Sequence, residues 1–266
     1  FIAAVLANWG GYYGQSIYLM EARRLGLEIR PPDVSYAEIE FSFSQFEGQP
    51  VLFMGLNQVR DLTRRTQHRI LRERPFRSLN DFLTRVDPRP VEVENLIKAS
   101  AMDAFGTIPA MLEQISGNSW HARQLSLFTR DKDEWDDWSI EQKAAAQHEI
   151  LGVSVIAHQL ELKAEQIKAA GALDTIEALS HPGDQIRVAG MRQTWRRSRS
   201  RRGDYLYFMS LEDMQGILDV VIPGEVYRRY RTEFSGRGPY IIEGFIEHDP
   251  KRLEPALHAR CIQRIQ

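Results

Sequence analysis

The chain has 266 residues, 43% of them apolar and 10% aromatic, and a formal net charge of -2. That length serves about two domains with cores of their own; the composition excludes wholesale disorder, and no apolar run reaches the roughly 20 residues that span a bilayer. The lone Cys261 excludes a disulfide framework and a thiolate zinc site, so a cytoplasmic protein is expected.

The opening FIAAVLANWGGYYGQ lacks a basic leader and breaks at Gly10-Gly11, so it reads as neither signal peptide nor anchor, and a start at Phe1 is expected of a piece of a longer polypeptide. Residues 1–29 read as helical, with Ile17, Leu19, Met20, Leu25 and Leu27 around the charged EARR and Gly26 loosening the end. Pro31 and Pro32 then force an extended run, in which EIEFSF and PVLFMGL alternate like strands. From Asn57 to Pro75 the period is helical, with Val59, Leu62, Thr66 and Ile70 on one face and arginines on the rest. Ser78 and Asp81 suit a capping box for a helix over 79–86, and Pro90 suits the first turn of the next. Residues 116–139 hold no period and read as a linker; helices resume at 140–150 and 159–170, the last ending at Gly171.

From Pro182 the pattern is β. DQIRVAGMRQTW predicts a strand, the arginine run after it a long hairpin tip, and YLYFMSL the returning strand. A third strand runs through Leu218, Val220 and Ile222, GEVYRRYRTEF is a helix, and PYIIEGFIEHD and PALHARCIQRI complete five strands. Five strands with a helix between the third and fourth is the layout of an OB-fold barrel. The fold class is therefore multidomain α+β, with an N-terminal helical region and a C-terminal five-stranded OB-fold β-barrel.

Charge is unevenly spread. From Pro182 onward there are 15 lysines and arginines against 11 acidic residues, whereas Trp120–Ile150 holds 4 against 7. Arg192, Arg196, Arg197, Arg199, Arg201 and Arg202 put six guanidinium groups into eleven positions. On an OB-fold they fall at the loop beside the usual ligand groove, where arginine can fork onto phosphate or stack on a base. Trp195, Tyr205 and Tyr207 are expected outside as stacking platforms, and Leu206 and Phe208 in the barrel core. The bland alternative is a solvated basic hairpin tip over core aromatics. Asp131, Asp133, Glu134, Asp136 and Asp137 are dense enough to suggest a metal site but lack strand alternation and read as solvated linker; the histidines show no paired ligand spacing, so no metal or other cofactor is expected in this chain.

In order along the chain, EARRLGLEIRPPDVSYAEIEF, RPFRSLNDFLTRVDPRPVEVENLIKASAMDAFG, EILGVSVIAHQL and IRVAGMRQTWRRSRSRRGDYLYFMSLEDMQGILDVVIP resemble one family, the alpha subunit of bacterial DNA polymerase III. GGYY and YLMEARRLGL are similar to its error-prone subgroup. The resemblance covers nearly the whole chain and implies five parts: 1–50 leaving the fingers domain, 51–116 a helix-hairpin-helix-like module, 117–139 a linker, 140–181 connecting helices and 182–266 the OB domain. QLSLF, Gln124, Leu125, Ser126, Leu127 and Phe128, resembles the peptide that hooks such polymerases onto a sliding clamp. Implied partners are single-stranded and primer-template DNA, the clamp and other replisome subunits, with no membrane. The family's catalytic carboxylates and their Mg2+ lie in a palm upstream, so this chain alone is not expected to polymerise.

One departure concerns the first hairpin, where the family carries glycines that let backbone amides approach phosphate. Here Arg60-Asp61-Leu62-Thr63 stands at the turn, and KASAMD puts Ser100 where the family has glycine. Side chains there resist positive φ, so duplex contact is expected to rest on Arg60, Arg64 and Arg65, or the module to act as a spacer. The rival readings are a stand-alone single-strand-binding accessory protein without catalysis, an accessory to an RNA enzyme, and an interaction scaffold for an acidic protein.

Overall fold

The computed structural model describes residues 2–8, 14–46, 48–116, 136–199, 203–234, 236–248 and 255–265. It forms two compact units, Phe1–His158 and Gln159–Gln266. The boundary falls inside the stretch 140–181 read as connecting helices. Among the described residues no helix is long and apolar enough to cross a membrane.

The first unit begins with α1 (Ile2–Ala7), α2 (Gln15–Arg24) and β1 (Glu28–Arg30). The helix expected over 1–29 thus ends earlier: Gly26 turns at φ +77, and β1 pairs in parallel with β3 (Gln49–Phe53), which also pairs antiparallel with β2 (Ser42–Phe46). The strand expected from Glu38 starts only at Ser42, because the carbonyls of Glu38 and Ile39 accept the amides of Leu56 and Asn57.

The helix expected over 57–75 is likewise shorter. Leu56–Gln58 is a single 3-10 turn, Asp61 takes φ +61, and α3 (Arg64–Glu73) starts behind Thr63, whose Oγ1 accepts the Thr66 amide. α4 (Leu79–Val86) is capped by Ser78 Oγ as predicted, but Asp81 Oδ2 reaches back to the Arg77 amide rather than to that of Ser78. α5 (Pro90–Lys98), α6 (Ile108–Ser116) and α7 (Ile140–Leu151) complete the unit. Their apolar stripes meet in one core that includes Leu56, Ile70, Phe82, Leu96, Ile97 and Ile108, each wholly buried. Each such side chain contributes about 1.5–3 kcal/mol relative to exposure. Gln147 of α7 is also wholly buried: its Nε2 donates to Ala99 O at 3.2 Å, and its Oε1 accepts the Val155 and Ile156 amides at 3.0 and 3.3 Å.

The second unit opens with α8 (Gln159–Leu162) and α9 (Ala164–Ala169) and continues as β4 (Gln185–Arg199), β5 (Tyr205–Glu212), β6 (Ile217–Pro223), α10 (Gly224–Tyr230), β7 (Tyr240–His248) and β8 (Pro255–Arg264). The strands close a barrel in the order β4-β5-β6-β8-β7, with β6 and β8 parallel and the other pairs antiparallel. β4 makes closure possible: residues 185–190 pair with β7, and 191–199 pair with β5. Val188, Met209, Leu211, Val220, Ile222, Ile242 and Leu257 fill the interior.

β7 and β8 approach closely at Gly244, beside a register shift, where an added Cβ would lie 2.1 Å from His258 O. That atom is backbone and cannot swing aside. Gly244→Ala should therefore cost about 1–3 kcal/mol of barrel stability, seen as a lower urea midpoint; an unchanged midpoint would show that the β7–β8 pair yields freely there.

Candidate nucleic-acid interface

β4 does not stop at Trp195. The strand continues to Arg199, so Arg196, Arg197 and Arg199 stand on a regular two-stranded ribbon rather than on the loose tip the sequence suggests. The register pairs Arg199 with Tyr205, Arg197 with Tyr207, Arg196 with Phe208 and Trp195 with Met209. Paired residues share a face, so Arg197 and Arg199 accompany the tyrosines while Arg196 lies on the opposite side. Their guanidinium carbons sit over rings: Arg197 and Arg199 at 5.0 and 5.3 Å from Tyr205, Arg196 at 5.1 Å from Phe208. Such contacts contribute about 0.5–1 kcal/mol each where exposed. None of these three arginines forms an ion pair among the described residues. Arg192 differs: it donates from Nη1 to Phe234 O at 3.3 Å and lies 5.7 Å over Trp195. Arg201 and Arg202 lie outside the described residues, as do Gln124, Leu125, Ser126, Leu127 and Phe128.

The placement of the aromatic side chains corrects the expectation. Tyr205 and Tyr207 alternate in phase with Met209 and Leu211, which line the interior, so Tyr207 packs on the barrel core. Leu206 and Phe208 belong to the outer face instead. Tyr207 stacks on Tyr227 of α10 at 3.9 Å and on Trp195 at 5.3 Å, and Phe234 closes on Trp195 at 5.0 Å. Trp195 and Tyr205 keep 36% and 41% of their surface open. Tyr227 and Phe234 were not singled out from the sequence. They are seven residues apart in a segment read only as a helix, a spacing that would have suggested a shared face.

A second row crosses the outside of the barrel. The register aligns Arg196, Phe208, Val221, His258 and Phe245 from β4 through β5, β6 and β8 to β7. Phe245 and His258 are parallel within 5° at 6.3 Å, and Arg260 lies 4.5 Å over Phe245. His258 Nε2 is 3.7 Å from Glu247 Oε2, an ion pair when the imidazole is protonated.

In the helical unit, Asp61 and Ser100 both take left-handed backbone, at φ +61 and +62. The side chains at these turns therefore do not prevent positive φ, contrary to expectation: Asp tolerates this region, and Ser100 is held by its surroundings, only 3% exposed with its amide on Ile97 O. Arg60 is engaged by its own unit. Its amide donates to Ile150 O at 3.3 Å, its guanidinium to the Glu149 carbonyl, and its Nη1 lies 3.8 Å from Glu149 Oε1. Arg64 and Arg65 are exposed, with Arg65 3.5 Å from Asp87.

The strongest electrostatic feature here is Glu92, 1% exposed, in the first turn of α5. Its carboxylate accepts Thr63 N and Thr63 Oγ1 at 2.9 and 2.6 Å, Thr66 Oγ1 at 3.0 Å and Arg89 N at 2.7 Å. Burial pushes its pKa up, but the Thr63 hydroxyl, the Arg89 and Thr63 amides and the Thr66 hydroxyl outweigh burial and hold it at about 2.

Of the acidic segment, Asp131, Asp133 and Glu134 lie outside the described residues, and Asp136 is exposed. Asp137 is structural rather than merely solvated: its Oδ1 accepts the Ile108 and Trp138 amides at 3.0 and 2.8 Å, and Oδ2 pairs with Lys143. Among the described residues no cluster of His, Cys, Asp and Glu is placed to hold a metal ion.

A helix-hairpin-helix motif model matches residues 26–110. The DNA polymerase III alpha subunit of Halalkalibacterium halodurans is 27% identical over 85% of this chain and 21% of its own length. The error-prone DNA polymerase of Pseudomonas aeruginosa is 28% identical over 93% of this chain and 25% of its own. A solved structure of asparaginyl-tRNA synthetase from Pyrococcus horikoshii aligns with 36% of this chain and 23% of its own, at 19% identity and a TM-score of 0.30. The chain spans about a fifth to a quarter of the length of these curated polymerases, and over most of its own length it is similar to the DNA polymerase III alpha and error-prone DNA polymerases.

Proposed function

We propose that this chain is the DNA-holding and clamp-tethering portion, C-terminal to the catalytic domains, of an alpha-like polymerase subunit. The observation that carries the reading is the ribbon of Arg196, Arg197 and Arg199, cations held over aromatic rings at one end of a closed barrel and, among the described residues, without ion-pair partners. Phosphates spaced along an unpaired strand match cations at successive positions of a ribbon. Trp195, Tyr205 and the outer row of Phe208, His258 and Phe245 offer ring surfaces on which bases stack without sequence preference.

In this reading nucleotide addition and its Mg2+ belong to other domains of the longer protein, and 117–139 supplies the tether. Gln124 orients the peptide by its amide while Leu127 and Phe128 fill an apolar pocket of the clamp, a few anchors dominating the contact. The family likeness favours this over a stand-alone accessory protein.

The test combines both contacts. The chain should bind an unpaired oligonucleotide with affinity that falls steeply with salt, and Q124A/L127A/F128A should lose the clamp complex while retaining DNA. Failure to hold DNA at low salt would overturn the first half; a persistent clamp complex in the triple variant would overturn the second.

A further inference from the structure

A helix N-terminus presents unpaired amides and the positive end of the helix dipole, and so it draws anions. In the helical unit the N-termini of α3 and α5 converge on one anion that the chain itself supplies, the Glu92 carboxylate. The Thr63 amide, at the hairpin turn before α3, already donates to it at 2.9 Å, and the Thr63 and Thr66 hydroxyls donate to it as well. The Arg60 amide is given to Ile150 O, and that of Ser100 to Ile97 O. Left open to solvent is the outer side of α3, where Arg64, His68 and Arg72 recur every fourth residue and are all exposed. Arg72 Nε lies 2.9 Å from Glu73 Oε1, a surface pair that salt screens.

We propose that Glu92 is a built-in occupant of the anion seat at the first hairpin, so that phosphate is kept from the turn and duplex DNA meets this unit through Arg64, His68 and Arg72. The proposal rests on the nucleic-acid reading above and departs from contact through turn amides. Because all three side chains project from one helix face, the contact follows a phosphate backbone and carries no base readout.

Duplex titrations of the whole chain test it, with affinity followed against salt and the Thr63 amide followed by NMR. R64E/R72E should weaken duplex binding about tenfold and lower the salt slope by about two, with the affinity of the barrel for an unpaired oligonucleotide unchanged. The Thr63 amide signal should stay in place as duplex is added. A Thr63 signal that moves with duplex, or full duplex affinity in R64E/R72E, overturns the proposal. So does a chain that binds unpaired DNA but no duplex, an outcome that leaves the function of the barrel standing. Loss of both kinds of DNA would instead sink the nucleic-acid reading itself.

Discussion

Reversing the ribbon charge with R196E/R197E/R199E/R201E will reduce the affinity for unpaired DNA by about a hundredfold or more and flatten its dependence on salt. Each arginine that neutralises a phosphate releases a condensed counterion, and each glutamate put in its place repels the phosphate, so the four substitutions act in the same direction. The barrel should survive the change: Arg196, Arg197 and Arg199 are exposed and lie beyond the buried interior built by Val188, Met209, Leu211 and Val220. The measurement is a fluorescence-anisotropy titration at several salt concentrations, with circular dichroism to verify the fold. Unaltered affinity would place the polynucleotide elsewhere on the chain.

The second large effect is on stability. Glu92→Ala leaves the Thr63 and Arg89 amides and two hydroxyls without their acceptor, the Thr66 hydroxyl in a buried place and the others partly buried, and should cost about 3 kcal/mol. The same carboxylate sets a pH dependence. Its folded pKa of about 2 lies below its ordinary 4.5, so its contribution is complete above about pH 4.5 and is lost as pH falls toward 2. Glu92→Gln, which keeps the shape and removes the charge, should flatten this acid limb of the stability curve in the helical unit. An acid limb identical in the unaltered chain and the Gln variant would assign it to other carboxylates.

Much of the barrel was legible because its strands obey alternation and its turns are marked. Leu218, Val220 and Ile222 point inward as their spacing demands, and α10 stands between the third and fourth strands. The aromatic faces were not legible for a local reason. Along β4 the residues that pack in the barrel core, Ile186 and Val188, are even-numbered, but an extra residue at Gln193 shifts the register between Arg192 and Thr194, so Trp195 and Arg197 take up the inner line. A bulge leaves no mark in a hydropathy pattern. On β5, Met209 and Leu211 alternating with polar Ser210 and Glu212 did carry the phase of Tyr207, had it been counted from that end. The Glu92 cluster was hidden differently: its partners Thr63 and Thr66 lie 29 and 26 residues away, and only packing brings two helix N-termini to one side chain.

The strand order has a consequence for how such a protein changes over generations. β8 separates β6 from β7, so the chain between those two strands must travel past one open end of the barrel, whatever residues compose it. Here that passage carries Tyr227 and Phe234, which stopper the mouth against Trp195 and Tyr207. The passage touches the strands through Arg237 O, which accepts the Arg192 amide, and Pro239 O, which accepts that of Ile265, so drift at Tyr227 and Phe234 can reshape the mouth while the interstrand pairs stay as they are. The cylinder and its stopper are thereby separable to mutation, one conserving architecture and the other free to retune what the opening accepts.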